Sequence, residues 1–324
     1  MKARKMKAAV YNKYGPPEVV HIQEVQMPIP KDKEVLIKIH ATAVSSGDVR
    51  LRKADPFLVR LFFGLFKPRV QVLGVDFAGV VEAVGKNVTQ YALGDEVFGS
   101  AFENGFGSHA EYICMPENGM LAHKPKNVSF TESAAIFFGG HSSLDFLRRG
   151  NLKKGDKVLI YGASGALGTY AVQLAHYYGA EVHGVCSGKN AELVKSLGAD
   201  KVIDYTKEDF TALGEKYDII FDTIGKSPFT KSVNTLQKKG KYLRAVNMKL
   251  KSILLSLFTS LMTSKKVIAG VAAERREDLL FLKKLIEEQK IKPIIDRTYH
   301  LTQIAEAHGY VEKGHKVGNV VITV

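Results

Sequence analysis

Cysteine is nearly missing: the 324 residues hold Cys114 and Cys186 and no other, far apart and without C-x-x-C spacing. That count excludes a disulfide scaffold and a cysteine-clustered metal lobe, and leaves two buried thiols in a reducing, intracellular setting as the expectation. Long apolar runs are absent as well. A membrane helix needs ~18–20 uncharged apolar residues, and the longest candidate here, 253–262, is far shorter. The basic start Met1-Lys2-Ala3-Arg4-Lys5 runs into Met6-Lys7-Ala8-Ala9-Val10-Tyr11, a first strand and not an apolar h-region, so neither a signal peptide nor a membrane span is expected and the cytoplasm is. Tryptophan is absent too, which removes only a fluorophore. Acidic residues are scarce, 33 against 46 Lys and Arg, for a net charge of +13. These cations are scattered along the chain with no Lys/Arg block interleaved with stacking aromatics. The composition therefore calls for no nucleic-acid partner, and a positive field drawing in a phosphorylated cofactor accounts for it.

What is present divides into two textures. The first third is a series of short strands with Gly, Asp and Asn punctuation: VLIKIHA at 35–41, strand segments in GVDFAGVVEAVG at 74–85 kinked by glycine, GDEVFG at 94–99 and AEYICMP at 110–116. This pattern suggests a compact, barrel-like β domain. Past Lys124-Pro125 strands and helices alternate: strands at 158–161, 181–186, 201–204, 217–222 and 240–246, helices at 166–178 and 191–197, and an amphipathic helix at 277–289. Alternation of this kind predicts an α/β fold with a doubly wound parallel sheet. Beyond Pro293 the chain reads as short β pieces ending in GNVVITV at 318–324. The expected domains are 1–124 with 293–324, and 125–292.

The chemistry begins where strand VLIY at 158–161 meets GASGALG at 162–168. A G-x-G-x-x-G loop is a weak signal alone, and here alanine holds its first position. Its setting after an apolar strand, at the opening of a helix and inside a βαβ unit, makes it a dinucleotide-binding turn. Gly165 lets a pyrophosphate approach the backbone, the helix N-terminus attracts its charge, and Gly168 permits close helix–strand packing. An NAD-binding chain usually ends the second strand with Asp or Glu to hold the ribose hydroxyls. This one reads Cys186-Ser187-Gly188-Lys189-Asn190. A carboxylate would repel a 2′-phosphate, whereas a hydroxyl and a lysine favour it, so NADPH is the expected cofactor, although Lys189 could also be an ordinary solvated lysine.

These residues resemble the zinc-independent quinone oxidoreductase branch of the medium-chain dehydrogenase/reductase superfamily. The carriers are GVDFAGVV at 74–81, GDEVFG at 94–99, the 158–168 block, LGAD-x-VIDY at 197–205 and FDTIG at 221–225. The resemblance implies a Rossmann doubly wound domain, a GroES-like β-barrel domain built from both chain ends, an active-site cleft between them and a homodimer. Zinc-dependent relatives place their ligands at positions that match Ser45, Val75 and Phe138, none of them a competent ligand. Gly47 replaces the hydroxyl residue that relays an alcohol proton in those relatives. Carried over, the family's cofactor contacts fall on Ser164, Gly165, Ala166, Leu167 and Gly168 at the pyrophosphate, with Ser187, Lys189 and Tyr205 at the 2′-phosphate. Ser142 falls near the nicotinamide, and Gly318-Asn319 stands where relatives often read Gly-Lys. Ser45-Ser46-Gly47-Asp48 replaces Asn-Pro-x-Asp, leaving Ser45, Ser46 and Asp48 as positional candidates for catalysis and Asp48 equally a structural acceptor.

The implied reaction is metal-free hydride transfer from NADPH to a quinone or an α,β-unsaturated carbonyl, an apolar acceptor that spreads the arriving charge onto oxygen. Two alternatives stay open: an NADPH-binding sensor or RNA-binding protein with little catalysis, and an alcohol dehydrogenase. The apolar segments 56–66 and 250–262 read either as core or dimer packing or as a pocket for a bulky acceptor, with a membrane surface as a third reading for either.

Overall fold

The computed structural model describes residues 4–245, 259 and 263–324. The second apolar segment, apart from Thr259, and the end of the expected strand at Val246 lie outside the described residues. The chain forms two compact units, one comprising Met1–Phe138, Glu274–Glu288 and Pro293–Val324, the other Gly139–Ala273 and Gln289–Lys292.

The second unit is a parallel sheet. Its strands are Lys157–Tyr161, Glu181–Cys186, Lys201–Asp204, Tyr217–Asp222, Leu236–Arg244 and Lys266–Ala269. Counted one to six along the chain, they lie in the order 3-2-1-4-5-6, all paired in parallel. Val158, Leu159 and Ile160 are fully buried in the first strand, as expected for a parallel sheet covered on both faces. Strand order reverses between the first and fourth strands, and ligands bind such sheets beyond the carboxyl ends at that point.

The first unit holds a mixed sheet in the order Ile295–His300, Asn319–Thr323, Glu34–Val44, Asp76–Val84, Glu96–Ser100, Leu121–His123. The long strand Glu34–Val44 pairs with Tyr112–Pro116 through its first half and with Asn319–Thr323 through its last residues. Asp76–Val84 is one strand, with register shifts against Glu34–Val44 between Leu36 and Ile37 and between Ile39 and Ala41. Gly79 serves close approach: a Cβ there would lie 2.0 Å from the Lys38 carbonyl oxygen.

Several local expectations need correction. The stretch after Pro293 contains a helix, Ile304–Glu312, whose buried stripe is Ile304, Ala307, His308 and Val311. Cys114 is half-buried, while Cys186 is buried; burial pushes the first thiol up to about 12 and the second to about 11, and both are free. The 56–66 segment is not core, because Phe57, Leu58, Leu61, Phe62, Leu65 and Phe66 are all exposed. The helix Arg276–Glu287 packs in the first unit, whereas the sequence pattern places it within 125–292. Arg276 reaches Gln90 Oε1 at 2.9 Å and the Leu121 carbonyl at 3.3 Å, and Asn127 donates to the Ile286 carbonyl at 2.9 Å.

Candidate active site

Gly165 is the N-cap of the helix Ala166–Tyr177 and has no side chain with which to cap it. The Gly165 N–H turns back to the Gly162 carbonyl at 3.0 Å, and Thr169 N–H bonds Gly165 at 2.9 Å. The first-turn N–H groups of Ala166, Leu167 and Gly168 thus have no intrahelical acceptor and point where an anion would sit. Two glycines make this geometry possible. Gly162 has φ 84°, and a Cβ on it would meet Thr223 and Ile224 at 2.8 Å. A Cβ on Gly168 would lie 2.0 Å from the Gly162 carbonyl oxygen. The loop is held from outside by Ser143, whose hydroxyl donates to the Leu167 carbonyl at 2.8 Å. Ser142, the predicted residue beside it, is half-buried on the same helix, Phe137–Arg149.

Asn190 links the loop to the end of the second strand. Its amide donates to Ser164 Oγ at 3.1 Å and Ser187 Oγ at 3.2 Å, so one side chain sets both predicted hydroxyls. Sequence reading missed this role although Asn190 lies in the motif that follows the second strand. Lys189 is exposed, and Tyr205 follows the third strand with its N–H on the Cys186 carbonyl at 3.2 Å. A carboxylate does approach this corner: a Cβ on Gly188 would lie 2.4 Å from Asp204 Oδ2. Its charge is spent locally, since hydrogen bonds from Thr206 and the Gly188 N–H hold Asp204 below the usual carboxylate range. A cavity of ≈ 430 Å³ opens beside Tyr161, Val185, Tyr205 and Phe210, with Asp209 and Lys231 also on its wall.

The FDTIG motif supports the loop from the fourth strand. Buried Asp222 accepts from the N–H groups of Ile224, Gly225 and Ser227 at 3.2, 2.7 and 3.2 Å, and from Tyr242 Oη at 3.0 Å. Thr223 donates to the Tyr161 carbonyl at 2.8 Å.

In the first unit, Ser45 and Asp48 form a capping box on the helix Ser46–Lys53. Ser45 Oγ accepts from Gly47 and Asp48 N–H, and Asp48 Oδ2 accepts from Ser45 N–H and Oγ at 2.8 and 2.6 Å. Asp48 Oδ1 takes the Gly74 N–H at 3.1 Å. These bonds occupy Ser45 and Asp48 in shaping the turn, while Ser46 is exposed. Gly318 and Asn319 are buried, with Asn319 N–H and Nδ2 both on the Ile294 carbonyl.

Two of the three positions matched to zinc ligands, Ser45 and Phe138, lie close to each other: a Cβ on Gly47 would touch Ser45 Oγ at 3.2 Å and the Phe138 ring at 3.9 Å. A phenyl ring, an aliphatic chain at Val75 and a committed hydroxyl do not fit a zinc ion. Beside them lie buried acids. Asp76 accepts the Phe138 N–H at 3.2 Å, and burial raises its carboxyl well above the usual range, helped by Asp48 and Glu274. Burial also pushes Glu274 up to about 7, with the charge of Glu103 adding to it, against a 2.6 Å hydrogen bond from Ser100. The sign follows from linkage. Below pH 4.5 folded and unfolded chains both hold this proton; between 4.5 and about 7 only the folded chain does; above about 7 the folded carboxylate ionises against its burial. Glu274→Gln is therefore expected to match the native chain near pH 4.5 and to exceed its stability by about 1–2 kcal/mol at pH 8, after allowance for solvent screening. Thermal unfolding at both pH values checks this; an equal gain at the two would refute it.

Comparison with known proteins places this geometry. Residues 31–126 match the family model of the alcohol dehydrogenase GroES-like domain, and 197–322 match that of the zinc-binding dehydrogenase. An NADPH-dependent alkenal/one oxidoreductase from chloroplasts of Arabidopsis thaliana is 34% identical over 98% of this chain and 80% of its own length. A chloroplast envelope quinone oxidoreductase homolog from the same plant is 31% identical over 99% of both chains. The solved quinone oxidoreductase from Coxiella burnetii superposes with a TM-score of 0.90 at 28% identity, covering 99% of this chain and 100% of its own.

Proposed function

The chain belongs to the zinc-independent quinone oxidoreductase branch of the medium-chain dehydrogenase/reductase superfamily, and on that premise we propose that it reduces quinones or α,β-unsaturated carbonyls with NADPH, without a metal. The observation that carries the reading is the glycine-capped first turn at Gly165, open to a pyrophosphate and backed by Asn190 between Ser164 and Ser187. When bound, NADPH supplies the hydride. The chain's own work is positioning. Backbone N–H groups of Ala166, Leu167 and Gly168, with the Ser164 hydroxyl, hold the pyrophosphate; Ser187, Lys189 and Tyr205 hold the 2′-phosphate; Ser142 steadies the nicotinamide end. Asp48 and Ser45, engaged in a cap, keep the turn before Val49 in place. The same reading makes the protein a homodimer, supported by the family resemblance, and its two free thiols fit a reducing compartment such as the cytoplasm.

The test is NADPH oxidation with 9,10-phenanthrenequinone and with an alkenal, NADH run alongside. Turnover with neither acceptor would remove the reading. Lys189→Glu replaces an attractive charge with a repulsive one, so kcat/KM for NADPH should fall roughly 100-fold while that for NADH changes little. Undiminished NADPH preference in this variant would show that Lys189 does not touch the phosphate.

A further inference from the structure

The segment 56–75 combines three properties that the hydride-transfer reading does not use. It exposes six large apolar side chains, Phe57, Leu58, Leu61, Phe62, Leu65 and Phe66, with Phe62 at 70% and Phe66 at 88% exposure. Soluble proteins seldom show an apolar patch of this kind unless something covers it. It also contains no carboxylate: between Asp55 and Asp76 the only charges are Arg60, Lys67 and Arg69.

The third property is that the fold holds these side chains outward. Tyr14 Oη donates to the Gly64 carbonyl at 2.7 Å, and Arg69 N–H bonds the Phe63 carbonyl at 2.8 Å. Val59 is buried beneath, and Phe63 packs edge-on to Phe106 at 5.8 Å, which in turn meets Phe102 at 5.5 Å. The Arg60 guanidinium lies over the Tyr14 ring at 4.8 Å and the Phe57 ring at 5.4 Å. Inward residues, Val59 and Phe63 among them, anchor the segment while Phe57, Leu58, Leu61, Phe62, Leu65 and Phe66 face water.

We propose that this face docks on a membrane surface bearing anionic lipid headgroups. The phenylalanines and leucines enter the boundary between headgroups and acyl chains, and Lys67 and Arg69, both exposed, meet the lipid phosphates. Short apolar segments flanked by cations bind membranes in this manner, lying on the surface without crossing it. No helix among the described residues is long and apolar enough to cross. Charge decides against a second copy as the occupant: a twofold interface would set this patch against itself, bringing like charges together with no carboxylate in the segment to offset them. The inference does not depend on which acceptor is reduced.

The experiment is flotation of the full chain with vesicles of phosphatidylcholine alone or mixed equally with phosphatidylglycerol. The native chain should bind the anionic vesicles about tenfold more strongly, and Phe62→Ser with Phe66→Ser should lower that binding at least roughly tenfold while leaving turnover of a water-soluble quinone unchanged. Because the chain has no tryptophan, Phe62→Trp supplies a single reporter whose emission should shift to the blue with anionic vesicles only. Absence of flotation by the native chain, equal flotation by the serine variant, or an unmoved emission from the Phe62→Trp indole would each overturn the proposal. So would conversion of a dimer to monomers by the serine variant with no vesicle binding, which would hand the face to a second copy.

Discussion

Gly168→Ala should weaken NADPH binding by about 100-fold and lower thermal stability, because the added methyl meets backbone and not a movable side chain. Its Cβ would lie 2.0 Å from the Gly162 oxygen and 2.7 and 2.8 Å from the carbonyl carbon and Cα of Ala163. The helix must move away from the turn by about an ångström, and a displacement of that size in a positioning element costs roughly two orders of magnitude. Overpacking of a tight interior costs typically ~1–3 kcal/mol in stability as well. Gly165→Ala separates the two effects. Its φ is −80°, and the nearest atom to its Cβ is the Gly162 oxygen at 3.4 Å, an ordinary contact. That variant should unfold at the native temperature yet bind NADPH more weakly, since the methyl intrudes only on the approach of the pyrophosphate. Cofactor fluorescence titration and calorimetry on both variants check this. Native affinity and stability in Gly168→Ala would mean that the helix does not depend on this close approach.

Glu312→Ala should destabilise the first unit by about 2–4 kcal/mol. The Arg52 side chain is fully buried, and Glu312 is the partner of its Nη2. Its Nε and Nη1 have no hydrogen-bond partner among the described residues. Glu312 also takes Lys53 Nζ at 2.6 Å, and these bonds hold its carboxyl below the usual range. Removing the carboxylate leaves a guanidinium in the interior with nothing to balance it. Arg52→Met with Glu312→Ala should recover most of the loss, because an apolar chain replaces the stranded charge. Denaturant unfolding of the single and double variants measures this; a double variant as weak as the single one would contradict it.

The second unit was legible because its signals are local. Continuous apolar strands, a glycine turn and a helix lie within a few dozen residues, and each reports its own geometry. The helix Ile304–Glu312 was missed for a specific reason. Its buried stripe has helical spacing, but one of the four positions is His308, which counts as polar by type and is nonetheless fully buried. Ser45 and Asp48 are site candidates by position, while S-x-x-D spacing before a helix is also a capping signature, and their hydrogen bonds form that cap. The Arg52–Glu312 pair joins residues 260 positions apart, and no window along the chain reveals it. Glu274 likewise owes its raised pKa first to burial, with the charge of Glu103, far away in sequence, adding to it.

The strand Asn319–Thr323 lies between Ile295–His300 and Glu34–Val44 in the sheet. During synthesis, the Val44 end of the early strand must therefore wait with an unpaired edge until residues 319–323 have been made. The other unit, nearly continuous from Gly139 to Ala273, needs no such delay and can close first. Between the making of residues 289–292 and of 319–323, the chain carries a complete cofactor-binding unit and an open strand edge in the other, the kind of edge that chaperones cover and that aggregates when they do not.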